Sequence, residues 1–214
     1  KYYKKNKKLK SKKNLDKKII SKHKLYVEKN MFQLCRSITG KGIKKSLFLI
    51  KKKFKDLKIY KIRSGTKVFD WKVPPEWNIK KAYIVDKNNN KIIDFKNSNL
   101  HIINYSKPIK ITLNRDDLLK KIYSLPKQPN AIPYVTSYYK KNWGFCCTHK
   151  KKIEILKKYK KRDLFKVEII SSFNNKGHLT YGELCLPGKS DQEILISTYL
   201  CHPSMANNEL SGPI

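Results

Sequence analysis

"LISTYLCHPSMANNELSG" spans Leu195–Gly212, close to the end of the sequence. Glu193–Leu200 is nearly continuously apolar or β-branched, the pattern of a strand buried on both faces in a sheet with helices on each side. Pro203 cannot donate a ladder hydrogen bond, so pairing is expected to stop there. Cys201-His202 then falls at the carboxyl end of a central strand, where α/β proteins gather their ligands. His202 can present its imidazole to a metal at that place. Asn207, Asn208 and Glu209 add oxygen atoms in the turn that follows. On pattern alone, a His-Pro turn rich in asparagine is also an ordinary polar loop. Ser211 lacks the G-x-S-x-G elbow of a nucleophile. Cys201 and His202 are adjacent on a strand and point to opposite faces, so they do not make a thiol–base pair.

Working outward, Phe165–Ser171 and Leu179–Leu186 alternate as strands, with turns at 174–177 and at Pro187-Gly188. No helix separates these strands from 193–200, so they are expected to open a larger mixed sheet. Further upstream, Ala82–Val85 and Ile92–Phe95 flank "DKNNNK" as a hairpin. Leu100–Asn104 and Ile109–Leu113 continue as strands. Asn114 caps a short helix, and His149–Lys158 forms a longer one. Phe32, Leu34, Cys35 and Ile38 have helical spacing, with Gly40 placed as a C-cap. Ile43, Leu47, Ile50 and Phe54 mark a second amphipathic helix. Trp71, Trp77 and Trp143 are expected to pack a small β-rich core.

These patterns divide the chain into four parts. Residues 1–30 form a Lys-rich disordered or marginal tail, with 13 Lys against Asp16 and Glu28. Residues 31–56 are N-terminal helices, 57–150 an inserted small α+β domain, and 151–214 the first strands of a larger sheet. The first residue is not Met, and the chain is expected to be an N-terminal fragment, with Met31 one candidate start.

The net charge of +34 suggests a polyanionic partner, but only four of the 50 basic residues are arginine. Lys, Asn, Ile and Tyr abound, as an A/T-rich genome would dictate. Base reading and bidentate phosphate contacts favour Arg, so nucleic acid is not the expected partner. No apolar run approaches the length of a membrane span. The five cysteines include no C-x-x-C pair and read as reduced thiols of a cytoplasmic protein.

"LCRSITG", "SGTKVFDWKVPPEWNIKKAYI", "LPKQPNAIPYVTSYYKKNWGFC", "HLTYGELCLPG" and "ILISTYLCHPSMANNELSGP" together resemble the aminopeptidase-like domain family, from about Met31 to Ile214. That family is similar to the co-catalytic zinc exopeptidases, such as the bacterial leucyl aminopeptidases. The resemblance implies a zinc-exopeptidase-like (phosphorylase/hydrolase-like) α/β fold, truncated here, with an inserted small domain. It implies a metallopeptidase acting on a peptide or small amide substrate, with zinc as cofactor and His202 as first ligand. The family's acidic turn reads Asn-Asp-Asn, and the wider zinc peptidases place a bridging aspartate at the spot of Asn207. Here the turn is Asn207-Asn208-Glu209, so weak or absent zinc binding by this chain is expected. Two further readings follow: a peptidase-fold binding module without metal, and a polyanion binder using the Lys-rich tail.

Overall fold

The computed structural model describes Lys17 and residues 19–205. Asn207, Asn208, Glu209 and Ser211 lie outside the described residues, as do residues 1–16. Four α-helices are described: α1 (19–31), α2 (Lys41–Lys51), α3 (Arg115–Lys120) and α4 (His149–Lys158). The strands are β1 (Lys58–Arg63), β2 (Lys67–Val68), β3 (Trp71–Lys72), β4 (Glu76–Val85) and β5 (Lys91–Asp94), then β6 (Ile109–Asn114), β7 (Ile122–Tyr123), β8 (Phe145–Cys146), β9 (Leu164–Asn174) and β10 (His178–Glu183). This is a mixed α and β architecture of small sheets.

The largest sheet has four antiparallel strands in the order β5-β4-β9-β6. Its register aligns Ile93, Ile84 and Val167 across three strands, and Ala82, Ile169 and Ile109 across the next row. Alternation puts Phe165, Val167 and Ile169 of β9 inside and Leu164, Lys166 and Ile170 outside, as expected of a sheet packed on one face. Leu118 of α3 and Ile155 of α4 close that face. Each helix begins at a side-chain cap: Asp117 N donates to Asn114 Oδ1 at 2.9 Å, and Lys151 N to Thr148 Oγ1 at 3.1 Å. Trp77 and Trp143 are buried in the same core.

A second, smaller cluster joins Val27 and Met31 of α1, Ile43 and Leu47 of α2, and Leu200. The antiparallel ribbon β1–β10 packs beside it: a methyl group at Gly182 would lie 3.1 Å from Leu47 Cδ2. The two clusters meet along the loop 32–40. There Trp77 N donates to Thr39 Oγ1 at 3.0 Å, and Thr39 Oγ1 lies 2.6 Å from Tyr105 Oη. Gly40 has φ 101°, and a Cβ there would stand 2.2 Å from the Trp77 carbonyl oxygen. Only glycine accepts both that conformation and that approach.

Several expectations change. Ile194–Leu200 pairs with no described strand, and Ile194, Leu195 and Ile196 are 91%, 91% and 87% exposed. Apolar character supplied the tendency to extend, but no neighbouring edge is present among the described residues to satisfy the backbone. The larger mixed sheet is therefore not formed by the described residues. Nor does the small sheet stop at residue 150: β9 lies between β4 and β6, so the expected boundary cuts through one hydrogen-bonded unit. Gly40 is the N-cap of α2 and not the C-cap of a helix over 32–38, which is loop. Within the Lys-rich tail, residues 19–30 are helical and mostly exposed, with Val27 buried, and the helix runs on to the buried Met31. Leu100–Asn104 begins as a short 3₁₀ turn at Asn99–His101.

Candidate functional site

His202 sits on a half-buried turn, not at the end of a paired strand. Leu200 before it and Pro203 after it are buried, which seats the turn against the body. Ser204 adopts φ 50°, and its Oγ donates to the Phe32 carbonyl at 3.3 Å. Asn99 Nδ2 donates both to Ser204 Oγ at 3.4 Å and to the Gln33 carbonyl at 2.7 Å. The turn is thereby tied to the loop 32–40. The imidazole stands between two tyrosine rings. Tyr134 lies 4.5 Å away, centroid to centroid, at 70°, and Tyr199 lies 5.7 Å away at 82°.

Behind Tyr134 is a polar cluster that the apolar pattern did not reveal. Asn104, fully buried, donates Nδ2 to Tyr134 Oη at 3.0 Å and to the Arg36 carbonyl at 3.2 Å. Tyr134 Oη lies 2.8 Å from Tyr138 Oη. Arg36 is itself fully buried and donates Nη1 to the Met31 carbonyl, with Ser37 buried beside Tyr138. Burial, and then each other's proximity, pushes the Tyr134 phenol up. Burial also raises Tyr138, against its bond with Tyr134. Both phenols stay protonated over the physiological range and act as neutral donors. Burial drives the Cys35 thiol, one residue before Arg36, up to about 12, despite the nearby guanidinium. It is an inert packing group.

Three of the five sequence stretches that carry the resemblance thus converge: "LCRSITG", "NAIPYVTSYY" and "LCHPS". The resemblance pointed to His202, but Arg36, Asn104, Tyr134 and Tyr138 were missed as parts of one site. One signal was present. Arg36 is one of only four arginines in a chain whose other 46 basic residues are lysine. A separate cleft of about 210 Å³ is lined by Leu34, Cys35, Lys41, Gly42, Lys45, Trp77, Asn78 and Ile79, and does not include His202.

Of the zinc ligands that the resemblance implies, His202 is the one within the described residues. Among the described residues no three His, Cys, Asp or Glu side chains converge. The turn residues Asn207 and Asn208 are amides, which offer a neutral oxygen where a bridging site needs a carboxylate.

This geometry belongs to a known architecture. A solved structure described as a "putative peptidase" from Clostridium acetobutylicum superimposes with a TM-score of 0.82 at 45% identity, covering 90% of this chain and 44% of that one. A protein of the same organism named "Putative polysaccharide biosynthesis protein with aminopeptidase-like domain" is 47% identical over 182 residues, 85% of this chain and 40% of its own length. Residues 24–214 match the family described as a domain of unknown function, DUF4910, and the chain belongs to that family. It spans less than half the length of these two relatives.

Proposed function

We propose that this chain is part of an aminopeptidase-like hydrolase that acts on a peptide or similar amide bond. The reading is carried by 45–47% identity, with a shared fold, to proteins named as peptidase or aminopeptidase-like. His202 is the group this chain brings to the chemistry: a nitrogen lone pair on a turn fixed at both ends by burial and by Ser204. An imidazole in that position offers a ring nitrogen as ligand, donor or acceptor. The five free thiols suit a reducing compartment, consistent with a cytoplasmic enzyme. Among the described residues no helix is long and apolar enough to cross a membrane.

The test is hydrolysis of aminoacyl-anilide and dipeptide substrates by the full-length protein. Turnover should be present in wild type and fall by about 100-fold or more in His202→Ala, the range for loss of a positioned acid–base group. Asn207-Asn208 favours a second reading, a binding module that keeps the fold without chemistry. That reading takes over if wild type binds such peptides and cuts none.

A further inference from the structure

We infer that Tyr134 is the positioning residue for the His202 imidazole, held in place by Asn104 and Tyr138. The inference rests on the reading of His202 as the functional group of this chain.

The two rings flanking His202 are anchored differently. Tyr199 lies on the extended segment 194–200 and is 52% exposed. Tyr134 is fixed at its far end, where its phenol meets Asn104 Nδ2 at 3.0 Å and Tyr138 Oη at 2.8 Å. Asn104 also fixes the backbone on which Tyr134 rides. Its N–H donates to the Val135 carbonyl at 3.0 Å, and its carbonyl accepts from Ser137 N at 2.9 Å. A single buried residue therefore sets both the main chain and the phenol of Tyr134. A tyrosine pinned at both ends keeps one ring orientation, and its near-perpendicular contact at 4.5 Å transmits that orientation to the imidazole. Nothing in this arrangement requires Tyr134 to touch a substrate. Its role is to limit which way His202 faces.

The experiment labels histidine Cε1 with ¹³C in the full-length protein and follows the five resonances by NMR, assigning His202 by loss of its signal in His202→Ala. In Tyr134→Leu the His202 resonance should move towards that of a solvent-exposed histidine. His101 and His149 should stay in place as reporters of an intact fold. Tyr134→Phe keeps the ring and loses the anchor, so it should retain most of the ring-current shift while the His202 signal broadens. In the peptide assay, Tyr134→Leu should lower kcat by about 100-fold, the cost of a small misplacement, with little change in KM, and Phe should restore most of it. A His202 resonance unchanged in both variants overturns the inference. If Tyr134→Leu unfolds, with His101 and His149 moving as well, the Phe variant decides: a His202 signal identical to wild type overturns the inference. The NMR response stands even where His202→Ala leaves turnover untouched, so failure of the hydrolase reading is seen separately.

Discussion

Two stretches of this chain are about equally apolar and meet opposite fates. "LFKVEII" at Leu164–Ile170 becomes the middle of β9, with β4 on one side and β6 on the other. "ILISTYL" at Ile194–Leu200 stays extended, unpaired by any described strand, and only Leu200 is buried. Composition does not separate them. The first stretch has an edge on each side and two helices over one face. The second has neither among the described residues. An apolar, β-branched run states that a segment will accept a sheet position, and the neighbours decide whether one exists.

The largest effect should follow from emptying the core side of β9. Phe165 is fully buried and meets Tyr159 edge-on at 5.0 Å. Phe165→Ala should cost about 3–5 kcal/mol of stability in urea unfolding, the usual range for removing a large buried aromatic side chain. A cost below about 1 kcal/mol would show that β9 is no more essential than the segment 194–200, and the contrast between them would fail.

The legible parts of the sequence were those decided locally. The hairpin around "DKNNNK", the cap at Asn114, the helix 149–158 and the alternation of β9 all depend on residues within a few positions of one another. What was lost in reading depended on distance along the chain. The boundary at residue 150 was drawn from a change of pattern, yet β9 pairs across it with β4, some ninety residues earlier. Gly40 was read as ending a helix because glycine does so often, but its place is dictated by the Trp77 carbonyl pressing on it. The candidate site shows the same division. His202 was legible through a run of residues around it. Arg36, Asn104 and Tyr134 come from three separate segments and are joined only by packing.

A smaller effect is expected at the turn that joins β4 to β5. Asp86 accepts from Asn88 N and Asn90 N, each at 2.9 Å, and from Tyr159 Oη at 3.0 Å. Burial alone would raise this carboxyl, but the hydrogen bonds from Asn90, Tyr159 and Asn88 outweigh it and hold it below the ordinary value. A carboxyl lowered in the folded state contributes stability above its unfolded value of about 4, and the contribution is lost as pH falls through the folded value. Asp86→Asn should therefore be less stable than wild type at neutral pH, with the gap narrowing as pH drops from about 5 to about 2. A gap of constant size would show that the carboxylate charge plays no part, leaving hydrogen-bond geometry alone to explain the turn.

The smallest expected effect is the sharpest test of the comparison. Leu195 is 91% exposed, with Ile194 and Ile196 on either side similarly exposed. Leu195→Ser removes a large apolar side chain that touches little, so the stability of this 214-residue chain should change by no more than about 0.5 kcal/mol. The same change inside β9, at Ile169, would leave a hydroxyl in a dry core and cost several kcal/mol. An exposed apolar extended segment is also a template for pairing with another chain, and that pairing would be concentration-dependent. Unfolding of wild type and Leu195→Ser should therefore be measured at two protein concentrations well apart. Coincident curves at both concentrations mean that 194–200 carries no pairing in this chain. A wild type stabilised at the higher concentration, with the serine variant unaffected, would mean that the segment has found an edge on a second copy. Its difference from β9 would then be one of supply, removed as soon as a partner strand is within reach.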